Sequence, residues 1–326
     1  MRGSLPHRQG GDLRSALLFL APNFLGFFVF TAGPIVFSFA ASLTNWNLER
    51  SVPLRFVGLK NYGDLWHDNE FWLFLANTVY LMLGMPIAIA GSLWIATLLH
   101  RKVRGIAVFR TMLYLPSFTS GVAIMLLWKQ LLNPDFGPVN QSLGWVLAHF
   151  GHGRQSDLPQ WLLSTRNLLG LNVDRVAYDP HQLGIGARDA LNLMGVWMAI
   201  GGSNMLLYLA ALTNVPGELL EAASLDGAGK WASFKSVTWP HLAPTTFFIV
   251  VMSIIGGLQA GFETARVMTN GGPARTTMTV AYQIYDYAFE RFQIGYASAI
   301  SWALFAIILA VTVVNWKFGN RGEMDA

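Results

Sequence analysis

The sequence predicts an all-α membrane protein that crosses the bilayer six times. Of its 326 residues, 53% are hydrophobic and only 12% are charged, and the mean hydropathy is +0.41. Soluble domains carry about 25% charged residues. An α-helix needs about 20 apolar residues to cross the hydrocarbon core, and six runs meet that requirement: 15–41, 71–99, 106–128, 190–213, 244–262 and 294–316.

The first run is predicted to be a retained span and not a cleaved signal peptide. Its apolar stretch exceeds the about 7–15 residues of a signal-peptide core, and no A-x-A cleavage site follows it. The predicted organisation is therefore a tail, three spans, a long loop, three further spans and a second tail, with boundaries at 1–14, 15–128, 129–189, 190–316 and 317–326.

The orientation is predicted from the density of basic residues. The Lys and Arg residues divide evenly between the two sides of the membrane, so their number alone does not predict the orientation. The segment 100-HRKVRG-105 fills a very short loop between the second and third spans, and short basic loops favour the cytoplasm. Both tails are therefore predicted to be cytoplasmic, and the loops at about 42–70, 129–189 and 263–293 to be external.

The predicted external loops contain turn residues, and 129–189 is expected to hold short helices. Aromatic residues near the span ends are typical of an interfacial belt: Trp46, Trp66, Trp72, Trp128, Tyr285 and Tyr287. His149 and His152 are close in sequence, but no third ligand is near, so no metal site is predicted. The chain has no cysteine, which excludes a disulfide framework and a thiol nucleophile.

The six predicted span cores carry no charged side chain or histidine away from their ends. This argues against a proton-coupled carrier, an ion pump or a voltage sensor, and no catalytic constellation emerges. Uncharged polar residues do occur within the spans: Asn77, Ser117, Thr119, Ser120, Asn192, Ser203, Asn204 and Gln259. They either form interhelical hydrogen bonds or line a path for a hydroxyl-rich neutral solute, and both interpretations remain open.

The polar segment 221-EAASLDGAGKWASFKSVTWP-240 contains DGAGK, which superficially resembles a phosphate-binding loop. A Walker A loop requires G-x-x-x-x-G-K followed by Ser or Thr. Here Trp231 follows the lysine, and Ser224 stands where the first glycine should be. The segment is therefore not predicted to bind nucleotide.

The same segment predicts two short helices joined by a tight turn. Asn214 is predicted to cap the first helix, with Pro216 in its first turn and Glu218 near its positive end. Asp226-Gly227 breaks the helix. A second helix is predicted over 229–239, where Trp231 and Phe234 share a face and Pro240 ends it. Such a hairpin either rests on lipid headgroups or docks a soluble partner.

The pattern E-A-A-x-x-D-G-A resembles the EAA loop of inner-membrane permeases from binding-protein-dependent ABC importers. The matching positions are Glu221, Ala222, Ala223, Asp226, Gly227, Ala228, Phe234 and Pro240. Val237 and Trp239 depart from the family's usual Ile and Leu. The resemblance to the sugar-type branch, similar to the maltose permeases, extends to four further stretches: 111–137, 204–212, 268–273 and 295–301.

The resemblance implies a subunit of a multi-pass transporter in the bacterial cytoplasmic (inner) membrane. It implies a homologous second permease subunit, two ATPase subunits that hold ATP and magnesium, and an external solute-binding protein. This chain would itself hold no cofactor or metal and have no catalytic residue, and no nucleic acid is implied. The EAA coupling loop, 214–243, would dock the ATPase through a turn and a buried aromatic anchor: Glu221, Ala222, Ala223, Asp226, Gly227, Trp231 and Phe234.

The maltose-type relatives line their transmembrane sugar site with the spans on either side of the EAA loop. The corresponding expectation here is Ser203, Asn204 and Gln259, with Trp197 and Phe262 as stacking surfaces. The implied solute is a sugar or oligosaccharide. Two alternatives are the same machinery for glycerol phosphate or another polyol-like solute and, less favoured, a polytopic membrane glycosyltransferase.

Overall fold

The computed structural model describes residues 9–48, 53–101, 104–149 and 158–319. Within these ranges the chain is helical, and β-pairing is limited to isolated bridges. Helices α1 to α16 cover, in order, Gln9–Phe27, Gly33–Ser42, Lys60–His67, Asn69–Leu81, Met85–Leu99, Ile106–Tyr114, Gly121–Leu131, Pro138–His149, Ala187–Ile200, Ser203–Thr213, Gly217–Leu225, Lys230–Ser233, Trp239–Gln259, Phe262–Met268, Val280–Tyr285 and Ile294–Gly319.

The first predicted span is confirmed as a helix from Ser15 to Ser42. It joins α1 to α2 through a π-helical turn over Phe28–Ala32. Pro34 follows this turn; it has no backbone N–H, and its ring would clash with the carbonyl four residues earlier in a regular helix. The wider turn accommodates the proline, because the N–H of Gly33 donates to the carbonyl of Phe28 and the helix continues.

The second predicted span, 71–99, is confirmed over Asn69–Leu99, which combines α4 and α5. The two helices are separated near Gly84, where the side chain of Asn192 supplies hydrogen bonds that the helix lacks. Its Oδ1 accepts from the N–H of Gly84 at 3.1 Å, and its Nδ2 donates to the carbonyl of Tyr80 at 2.8 Å. Asn192 therefore ties the break in the second span to α9.

The third predicted span, 106–128, is not one continuous helix, and this is a correction. Two arms, Ile106–Phe118 and Gly121–Leu131, meet at a bend of 96°. The first arm ends in a 3-10 turn that contains Pro116, and Ser120 then has an extended ψ of 126°. The described chain thus has five helices long and apolar enough to cross a membrane, and six such spans if the bent pair counts as one.

The fourth span runs over Ala187–Thr213 and starts slightly before its predicted boundary at 190. Its parts, α9 and α10, are separated at Gly201 and Gly202. A Cβ atom on Gly201 would lie 2.2 Å from the carbonyl oxygen of Leu113. This close approach to the third span explains why glycine stands at the break.

The long loop between the third and fourth spans contains short helical segments, as expected. Helix α8 lies within it, and a 3-10 turn covers Pro180–Gln182. His149 is the last residue of α8, whereas His152 lies outside the described residues. The pairing of these two histidines therefore has no structural description.

The fifth span differs from the prediction at its start. Helix α13 continues directly from α12 through a π turn over Phe234–Thr238. The prediction that Pro240 ends the second helix of the polar segment is wrong, because Pro240 stands in the first turn of α13 and the π turn accommodates it. The membrane-length helix accordingly covers Lys230–Gln259, where 244–262 was expected.

The sixth predicted span, 294–316, is confirmed over Ile294–Lys317 within α16. Helices α14 and α15 lie between the fifth and sixth spans. Of the predicted tails, 1–8 and 320–326 lie outside the described residues, as does Lys102 of the basic loop.

The chain divides into two compact units. One consists of the chain up to Trp66 together with Tyr287–Ala303, and within it the rings of Phe39 and Trp302 meet edge to face with centroids 5.0 Å apart. The other contains His67–Asp286 and the rest of α16. The core of this second unit lies where α5, α10 and α13 meet, around Ala96, Met205, Tyr208, Leu242 and Ile249.

Candidate functional site

The start of α11 differs from the prediction. Asn214 does not cap it but is the C-cap residue that follows α10. Pro216, with a ψ of 125°, stands directly before α11 and makes no side-chain capping bond. Glu218 lies in the first turn, as predicted, where the helix dipole stabilises a carboxylate.

The turn predicted at Asp226-Gly227 is a Schellman motif that joins α11 to α12. The N–H of Ala228 donates to the carbonyl of Ala223 at 2.9 Å, and the N–H of Gly227 donates to the carbonyl of Ser224 at 3.2 Å. Gly227 has a φ of +77°, a conformation that side chains with a Cβ atom disfavour. The turn is therefore fixed by its backbone.

The aromatic residues of this hairpin share one face, as their spacing predicts. Trp231 and Phe234 are stacked, with ring centroids 5.7 Å apart and planes 19° from parallel. Phe234 packs against the core of α5, α10 and α13. Trp231 is 76% exposed, and Leu225 in the turn is 88% exposed. An exposed tryptophan supported by an anchored ring is typical of residues that dominate protein interfaces.

A cavity of about 450 Å³ lies among helices of the second, fourth and fifth spans. Its size falls within the range of small-molecule sites. Most of its wall is methionine, glycine and other apolar surface, and among the described residues that line it none is charged. The polar lining consists of uncharged side chains: Thr78, Asn192, Asn204, Ser253, Thr264 and Thr279.

Comparison with known proteins identifies this architecture. Residues 88–316 match the family described as the binding-protein-dependent transport system inner membrane component. The chain belongs to this family. The permease is therefore a multi-pass transport subunit of the cytoplasmic membrane and not an enzyme, which confirms the resemblance seen in the sequence.

The permease is similar to several known transport subunits along most of its length. It is 32% identical to the probable ABC transporter permease protein YesP of Bacillus subtilis, over 94% of this chain and 90% of that protein. It is 33% identical to the lactose transport system permease protein LacF of Rhizobium radiobacter, over 92% and 91%. It is 27% identical to the sn-glycerol-3-phosphate transport system permease protein UgpA of Yersinia enterocolitica, over 90% and 89%.

The fold is similar to that of a solved transporter chain. The match is to the crystal structure of a bacterial alginate ABC transporter in complex with alginate pentasaccharide-bound periplasmic protein. The TM-score is 0.74, the match covers 97% of this chain and 98% of that chain, and the sequence identity is 20%. This likeness supports the helical architecture of the permease.

The residues predicted to dock the ATPase all lie on the hairpin. Glu221, Ala222, Asp226 and Gly227 are exposed, and Ala223 is half-buried. They bury little surface within the chain, and the carbonyl of Glu221 accepts a 2.7 Å hydrogen bond from Ser224 in the same helix. The backbone therefore fixes the shape of the hairpin, and its exposed side chains make few contacts within the chain.

The predicted solute-path residues do not all meet at the cavity. Asn204 lines it, whereas Ser203, Gln259, Trp197 and Phe262 do not. Trp197 is turned towards Trp128, with ring centroids 5.6 Å apart. The ring of Phe262 lies against Tyr285, with centroids 4.6 Å apart.

Ser253 is a cavity residue that sequence reasoning missed. On α13 the cavity is lined at Ser253, Gly256, Gly257 and the following Ala260, which are spaced three, four and seven residues apart and share one helical face. Gln259 lies on a different face. Small residues at this spacing were the available signal. Within the described residues, the side chains of Asn204 and Ser253 make no hydrogen bond to the chain.

A buried polar cluster lies at the start of α9. Asp189 Oδ2 accepts from the N–H of Gly186 at 3.1 Å, as an acidic residue at the third helical position does in a capping box. The hydroxyl of Tyr80 donates to Asp189 Oδ1 and accepts from the N–H of Leu168 at 3.1 Å. Arg188 is almost entirely buried, and its Nε donates to the carbonyl of Thr276 at 3.0 Å.

Proposed function

We propose that this permease pairs with a homologous second permease subunit and forms a translocation path for a sugar or oligosaccharide that an external solute-binding protein delivers. The observation that carries the proposal is the cavity of the second unit, where the described lining residues include uncharged polar groups and no charged side chain. Amides and hydroxyls bind a hydroxyl-rich neutral solute through hydrogen bonds without a counter-ion. The relative named for lactose transport supports the same class of solute.

Two residues of this cavity are proposed to contact the solute. Asn204 and Ser253 stand in the wall, on α10 and α13, and their polar groups are not used by the chain's described hydrogen bonds. Asn192 and Thr78 also line the cavity, but they hold neighbouring backbone, since Thr78 Oγ1 accepts from the N–H of Val280 at 3.1 Å. Ser203, Gln259, Trp197 and Phe262 are therefore weaker candidates for direct contact.

The hairpin is proposed to be the coupling element that docks an ATPase subunit. Glu221, Ala222, Ala223, Asp226 and Gly227 shape its turn, Trp231 enters a cleft of the ATPase, and Phe234 transmits the movement to the spans. This division follows from the stacking of Trp231 on Phe234 and the packing of Phe234 against α5, α10 and α13. Two ATPase subunits would bind ATP and Mg²⁺, and this chain would bind no cofactor.

The hairpin and both tails are proposed to face the cytoplasm. Phe234 packs in the same cluster as Leu99, the last residue of α5. The basic loop 100–105 follows immediately, so the hairpin lies at the end of the second unit that carries this loop. Because short basic loops favour the cytoplasm, the external segments would be 42–70, 129–189 and 263–293, and the coupling loop 214–243 would be internal.

Glycerol phosphate is a second candidate solute, favoured by the similarity to UgpA. A phosphate monoester would require a cationic group at the site. Among the described residues, no cation lines the cavity, and Arg188 is buried outside its lining. The neutral sugar is therefore the better supported solute. The glycosyltransferase alternative does not fit membership of a transport-subunit family.

The docking role is tested by co-purification of the ATPase with Glu221→Lys and Gly227→Pro variants. Asp174→Lys, an exposed position in the long loop, is the matched control. We expect the hairpin variants to lose the ATPase or to uncouple ATP hydrolysis from transport, while the control behaves as wild type. Normal transport with unchanged ATPase binding in both hairpin variants would show that the docking role is wrong.

The solute is tested with the reconstituted importer, its cognate binding protein and a panel of neutral saccharides. sn-Glycerol 3-phosphate is the anionic comparison. We expect ATPase stimulation and uptake with at least one neutral saccharide, and a rise in the KM for uptake in Asn204→Ala and Ser253→Val. Stimulation by the phosphate ester alone would replace the sugar assignment with the second candidate.

A further inference from the structure

The first unit contains a polar cavity that the proposed transport path does not use. It has a volume of about 320 Å³ and lies where the segment after α2 meets the start of α16. Three of its lining side chains are aromatic: Trp46, Tyr287 and Tyr296. The cavity of the second unit is mainly apolar, and the two cavities share no lining residue.

The two walls of this cavity are joined by backbone hydrogen bonds. The N–H of Gly295 donates to the carbonyl of Trp46 at 2.9 Å, and the N–H of Leu48 donates to the carbonyl of Phe292 at 3.0 Å. A Cβ atom on Gly295 would lie 2.2 Å from the carbonyl oxygen of Thr44. The segment after α2 and the start of α16 therefore approach each other as closely as glycine permits. Their backbone contacts hold the cavity in a defined shape.

One polar side chain of the cavity, that of Asn61, is held in place before any ligand binds. Asn61 is 9% exposed, and its Nδ2 donates to the carbonyls of Ser42 and Thr44, both at 2.8 Å. Both donors of the amide are thus used, so the group that Asn61 offers to the cavity is its Oδ1 acceptor. Fixed polar groups reduce the ordering that binding would otherwise require.

The aromatic rings are also fixed by their neighbours. Trp46 meets Phe37 edge to face, with centroids 5.4 Å apart. The ring centroids of Tyr287 and Tyr296 are 4.7 Å apart, and the guanidinium of Arg291 lies 4.3 Å from the ring centroid of Tyr287. Rigid aromatic side chains with polar ends give large contact area at low entropic cost.

The chemistry of the lining selects a neutral, hydroxyl-rich ligand. Amides at Asn47, Asn61 and Gln293 stand beside the aromatic rings, and Asp64 is the only charged side chain among the described residues that line the cavity. Amide and carboxylate oxygens accept from hydroxyl groups, and ring faces cover the apolar C–H face of a sugar. An anionic solute would meet a carboxylate and, among the described lining residues, no cation.

We propose that this cavity is a second saccharide site, which binds one unit of a neutral sugar at the external end of the first and sixth spans. The proposal rests on the proposed function, because the external location follows from the proposed orientation and the sugar is the proposed solute. The site would receive the saccharide outside the membrane, and it restricts the transported class to neutral sugars.

The test uses the assembled importer in lipid nanodiscs without its binding protein. The probes are a panel of neutral mono- and disaccharides that includes lactose, with sn-glycerol 3-phosphate as the anionic probe, and binding is followed by saturation-transfer NMR. The variant Asp64→Ala/Gln293→Ala removes two exposed polar side chains from the cavity. The matched control Asp135→Ala/Gln141→Ala removes the same residue types from exposed positions near α8.

We expect at least one neutral saccharide to bind wild type and the control, and about ten-fold weaker binding to the cavity variant, since two hydrogen bonds are lost. Asn204→Ala, in the cavity of the second unit, should retain this binding.

Three results would overturn the proposal. The first is that no saccharide binds in the absence of the binding protein, and the second is that the cavity variant and the control bind saccharide equally. The third is that the cavity variant loses only affinity for the binding protein, which would make the surface a protein-docking site. Each is compatible with normal sugar uptake, so the proposed function would stand. Absence of uptake for every neutral saccharide would instead reject the proposed function itself.

Discussion

The hairpin formed by α11 and α12 and the buried cluster around Asp189 use their side chains in opposite ways. In the cluster, Tyr80, Arg188 and Asp189 are polar, buried and bonded to backbone of three separate segments. In the hairpin, Trp231 and Leu225 are apolar and exposed, while the polar backbone of the turn bonds only within the hairpin.

The difference separates residues that specify this chain's own fold from residues that we propose to bind another protein. A buried polar group is stable only with its hydrogen-bond partners, so the cluster fixes how α4, the long loop and α9 meet. An exposed tryptophan gains little within the chain and gains much when a partner covers it. Substitutions in the cluster should therefore lower the stability of the permease, and substitutions in the hairpin should weaken its association with the ATPase.

The largest expected effect on stability is that of Asp189→Ala. The change leaves the Tyr80 hydroxyl and the Gly186 N–H without their acceptor, and it removes a carboxylate whose negative charge acts on the buried Arg188. Each buried polar group left without a partner costs about 1–3 kcal/mol, and this change affects two of them. We expect a large fall in the thermal unfolding temperature of the purified importer. Asp174→Ala, at an exposed position in the long loop, should leave the unfolding temperature unchanged. Equal thermal unfolding curves for the two variants would show that the cluster around Asp189 does not stabilise the fold.

A smaller loss of stability is expected for Asn77→Ala. Its Nδ2 donates to the carbonyls of Met278 and Arg275 at 2.9 and 3.3 Å, and it holds a loop in which Asn270, Ala274 and Arg275 have positive φ. Leaving these acceptors without a donor costs about 1–3 kcal/mol.

Trypsin provides the local measurement for this variant. Cleavage after Arg275 should become faster in Asn77→Ala, and it should stay at the wild-type rate in Asn69→Ala, an exposed position on the same helix. Unchanged cleavage in both would show that the loop is held by other contacts.

Much of the fold could be predicted because its determinants are local. A span requires a long apolar run, so hydropathy located the helices of the five spans other than the bent third one. The bend at Ser120 lies inside an apolar run, and the passage through Pro240 depends on a π turn, so neither has a hydropathy signal. Arg188 and Asp189 lie just before the predicted start of the fourth span, and their burial arises from tertiary packing with α4 and the long loop.

The candidate sites also differ in whether local sequence or tertiary packing determines them. The turn at Gly227 and the shared face of Trp231 and Phe234 were predictable from glycine chemistry and helical spacing. The cavity was not, because it depends on which face each helix turns inward. Ser253 lies on that face and Gln259 does not, although both are polar residues in the last part of the fifth span.

A still smaller effect on stability is expected for Gly227→Ala. The left-handed conformation costs a residue with a Cβ atom about 1–2 kcal/mol, and this strain stays within the turn. Gly217→Ala is the matched control, because Gly217 lies in the same hairpin with open space around it and no positive φ. We expect ATPase association to weaken in Gly227→Ala alone, and its unfolding temperature to lie slightly below that of Gly217→Ala. Equal association in the two variants would separate turn geometry from docking.

The smallest effect on stability, and the sharpest test of the contrast, belongs to Trp231→Ala. Trp231 is 76% exposed, so its removal should change the free energy of unfolding by less than about 0.5 kcal/mol, as at other surface positions. As an interface anchor it should contribute at least about 2 kcal/mol to docking, which corresponds to an about 30-fold weaker association with the ATPase. Trp145→Ala, at a 69% exposed position on α8, should change neither quantity. A loss of stability as large as that of Asn77→Ala, or unchanged ATPase association, would assign Trp231 to the fold of the permease and leave the hairpin without its proposed anchor.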